Sequence, residues 1–385
     1  MDERLLIKHG NVVLPDGSIA LLDVLIEDGV IAAVGTGFTC ENVLDAKGAY
    51  VLPGIIDLHT HGIGDVSVGD GSLAQFAAFE ASVGATTFYP TLFAPPDHLV
   101  VQMERHRCET DDLRLTPQVG GFRLESPYLS KAGGGMSNDL ADISSDLTSR
   151  LVEAGGGHIR IWDISPELPG APGLIRDLSA QGVVCSIAHT QCSIERAREA
   201  VDAGARLVTH LFDTFVLPEM SEPGAYPAGL VDYILIEDRL TCEIIGDGTH
   251  VDPVLVEKAL RCKSPERIAF VTDSNRGAGL PPGRYSLGEW GNIVVNGPND
   301  GLRLVDRDMI LAGSALTPIA AMRNSIQLFG QNLHETVQLC SRTPARLMGL
   351  NKGEIAPGRD ADLVVLSPEL ELSHSICAGS VVYSR

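Results

Sequence analysis

Both ends of the chain carry short runs of alternating apolar and polar residues, a pattern typical of strands with one buried face. Turn sequences such as Pro15-Asp16-Gly17 separate the runs. The pattern predicts strands at residues 5–8, 11–14, 22–27, 30–34 and 49–52, and again at 362–366 and 375–383. Since strands from opposite ends of a chain can pair, we expect one small β-sandwich domain made of residues 1–51 and 350–385.

The middle of the chain, residues 52–349, alternates short apolar runs with segments of helical length such as 194–203. This α/β alternation fits either a doubly wound sheet or a TIM-like (β/α)₈ barrel. Residues 284–311 interrupt it with hairpin-like runs, which we expect to join the small domain. The predicted strands of the middle region are 54–57, 86–90, 120–124, 158–163, 183–188, 207–211, 241–245 and 268–272.

The net charge of −21 disfavours nucleic acid as a partner, because phosphate backbones are bound through clustered Lys and Arg. A small anionic substrate stays compatible with it, since a pocket can be locally basic on an acidic protein. The eight cysteines form no CxxC pair, which favours buried, reduced thiols over a thiolate metal site. No signal-peptide pattern and no membrane-length apolar run occur, so we expect a cytoplasmic protein that does not contact a membrane.

Side chains of the kinds that bind metals lie at or just after the carboxyl ends of the predicted barrel strands. Taken singly, each has an ordinary explanation, such as a surface histidine or a buried ion pair. In a barrel the carboxyl ends of the strands converge on one face, where such enzymes carry their active sites. Convergence of this set therefore favours the barrel over the doubly wound sheet and predicts a metal centre. The residues are His59, His61, Glu125, His189, His210 and Asp273.

Imidazole and carboxylate ligands without thiolate suit Zn²⁺, with Fe²⁺, Mn²⁺ or Co²⁺ as alternatives. Such a metal lowers the pKa of bound water to about 7 and polarises a carbonyl oxygen. Asp273 could accept the water's proton and pass it to a leaving amine, or it could be a further ligand. The pattern therefore predicts a metal-dependent hydrolase of an amide-type carbon–nitrogen bond.

Longer motifs surround these residues. They are LPGIIDLH (52–59), YPTL (89–92), LESP (124–127), THLF (209–212), GDGTHV (246–251), VTD (271–273), AGSALT (312–317) and GRDADL (358–363). Together they resemble the N-acetylglucosamine-6-phosphate deacetylase family of the amidohydrolase superfamily, over nearly the whole chain. The last motif is shared widely among amidohydrolases, whereas the Asp-Gly-x-His and Leu-Glu-x-Pro blocks are more particular to this family.

The resemblance implies roles for the candidate ligands. Glu125, His189 and His210 match the family's principal metal ligands. His59 and His61 match a pair that some members use for a second metal and others have lost, so one or two ions are implied.

The resemblance also implies a catalytic residue and a substrate pocket. Asp273 matches the catalytic acid and base, and His250 matches a histidine that contacts the substrate. The remaining matches to the sugar pocket are Met136, Asp213, Thr214, Leu311, Ala312 and Gly313.

The chain departs from the family pattern where the sugar phosphate would bind. Ser221 stands where the family has an Arg that reaches the phosphate, often across a dimer interface, and Asp213 stands in place of an Asn. Arg123 replaces the His, and Ser126 the Gly, of the usual His-Leu-Glu-Gly-Pro. Ser137 ends a Gly-x-Ser where the family has Gly-x-His. Losing a bidentate Arg and adding an Asp both disfavour a phosphate dianion.

Arg276, three residues after Asp273, offers either a different anion contact or an ordinary loop residue. We therefore expect an unphosphorylated or differently charged N-acyl compound to be a better substrate than the 6-phosphate sugar.

The resemblance implies deacetylation of a small N-acetyl amino sugar by a homodimer. An alternative keeps the site but changes the bond, to that of an N-acyl amino acid, a cyclic amide or a deaminase substrate. Released acetate supports the first hypothesis, whereas ammonia or ring opening supports the second. A scaffold without activity is a third hypothesis, which the intact ligand set disfavours.

Overall fold

The computed structural model describes residues 4–113, 118–133, 140–215, 222–286 and 291–385. Its strands form a mixed sheet from the two chain ends, a parallel barrel from the middle, and two smaller antiparallel sheets. In chain order the strands are β1 (Arg4–Val13), β2 (Ile19–Glu27), β3 (Val30–Gly35), β4 (Val43–Asp45), β5 (Tyr50–Pro53), β6 (Ile55–Thr60), β7 (Gly62–Ile63), β8 (Val66–Ser67), β9 (Ala85–Leu92), β10 (Phe122–Leu124), β11 (Ile159–Ile164), β12 (Val184–Ile187), β13 (Leu207–Val208), β14 (Thr241–Ile245), β15 (Ile268–Val271), β16 (Gly283–Ser286), β17 (Asn292–Val295), β18 (Leu302–Leu304), β19 (Ile310–Leu311), β20 (Leu363–Leu366), β21 (Leu372–Cys377) and β22 (Ser380–Ser384).

Several helices begin at a residue whose side chain accepts a hydrogen bond from the first turn, as Ser193 does from the Arg196 amide. A π-helical turn, Gln338–Arg342, connects the last two helices. No described helix is both long and apolar enough to cross a membrane. In chain order the helices are α1 (Leu73–Ser82), α2 (Pro96–Leu113), α3 (Ser145–Gly155), α4 (Ala171–Ala180), α5 (Ile194–Ala203), α6 (Leu230–Ile236), α7 (Pro253–Lys263), α8 (Pro318–Gln327), α9 (Leu333–Val337) and α10 (Thr343–Met348).

The sheet built from the chain ends has the strand order β22-β21-β20-β5-β1-β2-β3, with β4 beside β1. Antiparallel pairing of β5 with β20 joins the two ends, as the pattern predicts. Two details of the prediction are wrong. The segments 5–8 and 11–14 form one strand, because a bulge after Ile7 keeps the chain paired to β2 while His9 takes a φ of 54°. The segment 375–383 contains a hairpin turn at Ala378 and Gly379, both with positive φ.

The barrel strands follow one another in chain order, β6-β9-β10-β11-β12-β13-β14-β15, and every neighbouring pair is parallel. In a doubly wound sheet the spatial order of successive strands changes direction at a switch point, and the order of these eight strands shows no such change. The barrel closes where the Asp273 amide donates to the His59 carbonyl at 2.9 Å and Thr60 bridges to Ser274. The predicted (β/α)₈ barrel is therefore confirmed.

The hairpins after the eighth barrel strand form their own antiparallel sheet, in the order β16-β17-β18-β19. The expectation that they join the small domain is wrong. They have a core of their own, in which Ile293, Val295, Leu302 and Leu304 pack with Ala312. The sheet therefore lies next to the 311–313 segment at the mouth of the barrel.

Candidate metal centre

His59 is the fifth residue of β6, and His61 follows the end of that strand. Side chains two apart on a strand point the same way, so both rings turn towards the carboxyl end of the barrel. Their Nε2 atoms lie 3.2 Å apart, close enough to share one ion. The His59 ring is fully buried, while that of His61 lines the cavity above it.

His189 and His210 form a second pair at the ends of β12 and β13. Their Nε2 atoms also lie 3.2 Å apart, and the two rings meet edge to face. Both side chains are buried. The two pairs are therefore far apart in the sequence but converge at the same end of the barrel.

Glu125, just after β10, lies between the two histidine pairs. Its Oε1 is 2.9 Å from His189 Nε2 and 3.4 Å from His210 Nε2. Its Oε2 is 3.0 Å from His61 Nε2 and 3.6 Å from His59 Nε2. One carboxylate oxygen thus faces each pair. The arrangement gives two potential ligand groups that have Glu125 in common.

Asp273 follows β15 and faces the first histidine pair. Its Oδ1 is 3.3 Å from the Nε2 atoms of both His59 and His61. Its main-chain carbonyl accepts from the Ser314 amide at 2.7 Å, so the backbone on both sides of the carboxylate is fixed. An aspartate in this position can either bind an ion or exchange a proton with a water held beside it.

Three of the converging residues have a left-handed backbone, which non-glycine residues rarely adopt. The φ angle is 44° at His189, 23° at His210 and 47° at Asp273. Each follows the last residues of a barrel strand, where the chain must leave the sheet sharply. Strained backbone of this kind is often found at functional sites, where the surrounding structure holds it in place.

Carboxylates around the histidines control their protonation in the metal-free protein. Burial alone would lower the pKa of His61, but Glu125 and Asp273 outweigh it and raise that pKa to about 10. Burial likewise opposes protonation of His210, whose pKa the Glu125, Asp213 and Asp273 carboxylates raise to about 10. In the metal-free site the carboxylates therefore favour protonated imidazoles. The same negative charge would favour a bound metal cation.

The carboxylates respond in the opposite sense. Burial would raise the pKa of Asp273, but the nearby imidazoles, with His59 first among them, lower it to about 2. Burial also opposes ionisation of Glu125, and the same histidine neighbours hold its pKa well below the usual range. Both carboxylates are therefore ionised at neutral pH and available as ligands or proton acceptors.

A cavity of about 140 Å³ opens above this cluster. Its lining contains most of the residues predicted for ligand or substrate binding, which the structure thus brings together. They are His61, Glu125, His189, His210, Asp213, Thr214, His250, Asp273, Leu311, Ala312 and Gly313.

The sequence interpretation missed three residues of the lining: Phe93, Gly133 and Asn275. Phe93 directly follows the YPTL motif and Asn275 lies two residues after the VTD motif, so closeness to a strand end was the signal in the sequence. Gly133 gives no signal in the sequence, but the structure shows why a glycine is needed there. A Cβ atom on it would lie 2.7 Å from Cε1 of His189.

His250 is oriented by Asp247, another residue that the sequence interpretation did not single out. The His250 Nδ1 lies 2.7 Å from Asp247 Oδ2, and Asp247 Oδ1 accepts from the amides of Thr249 and His250. Burial would lower the pKa of His250, but the Asp247 carboxylate raises it. Asp247 therefore holds the Nδ1 proton of His250 and favours the protonated ring, in which Nε2 can also donate.

Two of the predicted contacts are not among the described lining residues of the cavity. Arg276 does not belong to the described lining of the cavity, and its guanidinium pairs with Asp70. Met136, together with Ser137 and Ser221, lies outside the described residues. The roles assigned to these positions stay predictions.

The amidohydrolase family model matches residues 242–382. The chain is 30% identical to the N-acetylglucosamine-6-phosphate deacetylase of Lysinibacillus sphaericus, over 98% of this chain and 97% of that protein. The chain belongs to the N-acetylglucosamine-6-phosphate deacetylase family of amidohydrolases. It is also 31% identical to the N-acetylgalactosamine-6-phosphate deacetylase of Escherichia coli O157:H7, over 90% of this chain and 91% of that one.

Solved structures of deacetylases in this family superpose along the whole chain. The N-acetyl-D-glucosamine-6-phosphate deacetylase of Mycobacterium smegmatis, solved with its sugar phosphate, matches with a TM-score of 0.86 and 28% identity. Each of the two chains is covered completely. This member of the deacetylase family is therefore a hydrolase of amide carbon–nitrogen bonds.

Amidohydrolases are metal-dependent, and the residues of this family member fit a divalent ion. Within each ligand group, the imidazole and carboxylate donor atoms all lie within 4.8 Å of one another. Such a donor set, without thiolate, suits Zn²⁺ and other first-row divalent metals.

Proposed function

We propose that this amidohydrolase removes the acetyl group of an N-acetylated amino sugar, using a centre of two metal ions. The reaction adds water to the amide and yields a free amine and acetate. The observation that carries the proposal is the position of Glu125, with one oxygen towards each histidine pair and Asp273 beside the first pair. Each of the residues needed for amide hydrolysis is then present at one end of the barrel.

We assign His189, His210 and Glu125 to one ion and His59, His61 and Glu125 to the other. Zn²⁺ is the metal we expect, because its preferred ligands are imidazole and carboxylate. When bound, the metal activates water and polarises the amide carbonyl. The protein contributes the shape of the site, since the strand ends fix each ring before a ligand arrives.

Asp273 acts as the general base and then as the general acid. Its ionised carboxylate accepts a proton from the attacking water and donates it to the amide nitrogen as the carbon–nitrogen bond breaks. The two tasks need one carboxylate, because the proton gained in the first step is the one released in the second. The fixed backbone around Asp273 keeps the carboxylate close to both the attacking water and the amide nitrogen.

His250 and the 311–313 segment orient the substrate. Asp247 accepts from Nδ1 of His250 and favours the protonated ring, so the imidazolium donates a hydrogen bond from Nε2 into the cavity. Leu311 and Ala312 supply apolar contact on the same wall. A substrate held between His250 and the metal ligands presents its amide to Asp273.

We further propose that the preferred amino sugar carries no phosphate. The described lining of the cavity contains no Lys or Arg, whereas Glu125, Asp213 and Asp273 are all acidic. The sequence of the segments 134–139 and 216–221 contains no Lys or Arg either. Arg276 is already paired with Asp70. A phosphate dianion would therefore meet negative charge, with no Lys or Arg in the described lining to bind it.

The experiment is a measurement of acetate release from N-acetylglucosamine, N-acetylgalactosamine and their 6-phosphates, with N-acetyl amino acids alongside. We expect a higher kcat/KM for an unphosphorylated sugar. A kcat/KM of about 10⁴ M⁻¹s⁻¹ or more for a 6-phosphate would overturn the proposed lack of phosphate. Turnover of N-acetyl amino acids alone would overturn the proposed sugar substrate but not the hydrolase chemistry.

A further inference from the structure

Arg123 lies inside the barrel below the metal centre and is completely buried. Its guanidinium donates five hydrogen bonds to four residues, which lie on or directly after four other barrel strands. Nε and Nη2 hold the two oxygens of Asp163 at 3.0 Å each, and Nη2 also donates to Thr209 Oγ1. Nη1 donates to Glu243 Oε1 at 2.5 Å and to the Leu58 carbonyl at 3.0 Å. A fixed fork of donors therefore sets the position of both acidic side chains.

Glu243 connects this fork to the metal centre. One of its oxygens accepts from Arg123, and the other lies 3.5 Å from Nδ1 of His59. The side chains of all three residues are fully buried. The Glu243 carboxylate can only accept hydrogen bonds, so it favours a proton on Nδ1 of His59. That tautomer leaves the Nε2 lone pair free, on the side where Glu125 and Asp273 lie.

The second ring of the pair is held in the same way. His61 Nδ1 lies 2.9 Å from the Thr91 carbonyl, which is also an acceptor only. By contrast, within the described part of the chain the Nδ1 atoms of His189 and His210 have no hydrogen-bond partner. The protein thus fixes the tautomer of both rings in the first pair, which is the device that metal sites use to orient histidine ligands.

We propose that Glu243 and Arg123 are positioning residues for the metal ion held by the His59 and His61 pair. Glu243 sets the tautomer of His59, and Arg123 sets the orientation of Glu243. The inference rests on the proposed two-ion centre. It names the groups that prepare His59 and His61 to bind their ion. On this basis the His59 and His61 pair is prepared for metal binding, and it binds an ion in the active protein.

Replacing Glu243 by Gln tests the inference because the change keeps size but removes one acceptor. Arg123 only donates, so the oxygen of Glu243→Gln must turn towards it and the amide NH₂ must turn towards His59. His59 Nδ1 then has to accept, and its proton moves to Nε2, where it blocks metal binding. The same reasoning explains why an Asn that orients a catalytic histidine holds it in the wrong tautomer.

Asp163→Asn is the matched control. Asp163 is fully buried like Glu243 and bonds to the same guanidinium, so each variant removes one buried negative charge beside Arg123. Asp163, however, accepts from Arg123 and Thr209 and from no histidine of the described segments. Any general cost of disturbing the buried charges should therefore affect both variants, while the effect on His59 should affect Glu243→Gln alone.

The readout is metal binding rather than turnover. Manganese is titrated into each metal-free protein, and electron paramagnetic resonance distinguishes a spin-coupled pair of ions from an isolated one. We expect the wild type and Asp163→Asn to show the coupled signal. For Glu243→Gln we expect one isolated ion, with the ion of the His59 and His61 pair bound about 10- to 100-fold more weakly. Thermal unfolding of both variants checks that they fold comparably.

Two results would overturn the inference: a coupled pair of wild-type affinity in Glu243→Gln, or an equal loss of the second ion in both variants. A wild type that binds a single ion would overturn it as well, yet acetate release by that protein would leave the proposed hydrolase standing. Nitrogen-15 NMR of histidine-labelled, zinc-loaded wild type gives a test that needs no variant. The inference requires the proton of His59 on Nδ1, and a proton on Nε2 would contradict it.

Discussion

The main-chain N–H of Asp273 donates to the carbonyl of His59 at 2.9 Å, so a hydrogen bond of the barrel closure also places the proposed catalytic carboxylate beside the first histidine pair. The last barrel strand therefore cannot be displaced from the first without moving Asp273 away from its neighbours. The contact that closes the barrel at this point therefore also assembles part of the site.

Replacing Asp273 by Asn keeps the size of the side chain but removes its ability to accept a proton. We expect metal to be retained and kcat to fall by about 10²-fold or more, the range for losing a positioned acid and base. Metal analysis and acetate release measure the two effects. Asp70→Asn is the control, because it removes a carboxylate outside the cavity lining. Near-normal turnover of Asp273→Asn would assign the proton transfer to another residue.

The two histidine pairs predict different results on truncation. His189→Ala removes a ligand of the Glu125, His189 and His210 group, and we expect loss of that ion together with nearly all activity. His59→Ala should leave that ion bound and remove the other, because His59 belongs to the group of His59, His61 and Glu125. Metal stoichiometry by mass spectrometry separates the cases. Unchanged stoichiometry in both variants would show that these side chains are not the ligands.

Metal affinity should depend on pH, and the protonation of the metal-free site sets the direction of that dependence. His61 has a pKa of about 10 there, and a ligating imidazole must be neutral, so binding releases protons. Apparent affinity for zinc should therefore rise with pH towards 10. Calorimetric titration in buffers of different ionisation enthalpy counts the protons released. An affinity that stays constant between pH 6 and 9 would contradict the protonated state.

Stability of the metal-free protein should change with pH in the opposite direction. The raised pKa of His61 stabilises the fold fully below the unfolded value of about 6.5, and this stabilisation disappears as the pH rises through about 10. The melting temperature of the metal-free protein should therefore fall over that interval. Zinc-loaded protein is the comparison, since its imidazoles are held neutral. An equal decline in both forms would place the cause outside the site.

Gly133→Ala should disturb the metal centre although Gly133 offers no ligand. The added Cβ would lie 2.7 Å from Cε1 of His189, a distance that forces the ring or the loop to move. We expect weaker metal binding and lower kcat, both measured on the same preparation. Gly173→Ala is the control, because a Cβ there meets nothing within 4 Å. Equal affinities in the two variants would mean that the loop yields without moving His189.

The sequence predicts the barrel and its polar strand ends because both follow from local patterns. His59 and Asp273 stand at recognisable ends of apolar runs, and only barrel geometry is needed to bring them together. The partners of Arg123 could not be predicted in this way. Asp163 and Glu243 lie 40 and 120 positions along the chain, and many other acids have equal claims by spacing alone. Contacts across the barrel interior depend on register, which the pattern leaves open.

The pairing of β5 with β20 has a consequence for synthesis of the protein on the ribosome. Val51 pairs with Val365, so this sheet lacks a central pairing until β20 has been made, more than 300 residues after β5. During that time β5 presents an open edge, which invites pairing with other chains. A nascent chain that stalls before residue 363 is therefore exposed to aggregation although all eight barrel strands have been made, and a chaperone would have most to protect until β20 emerges.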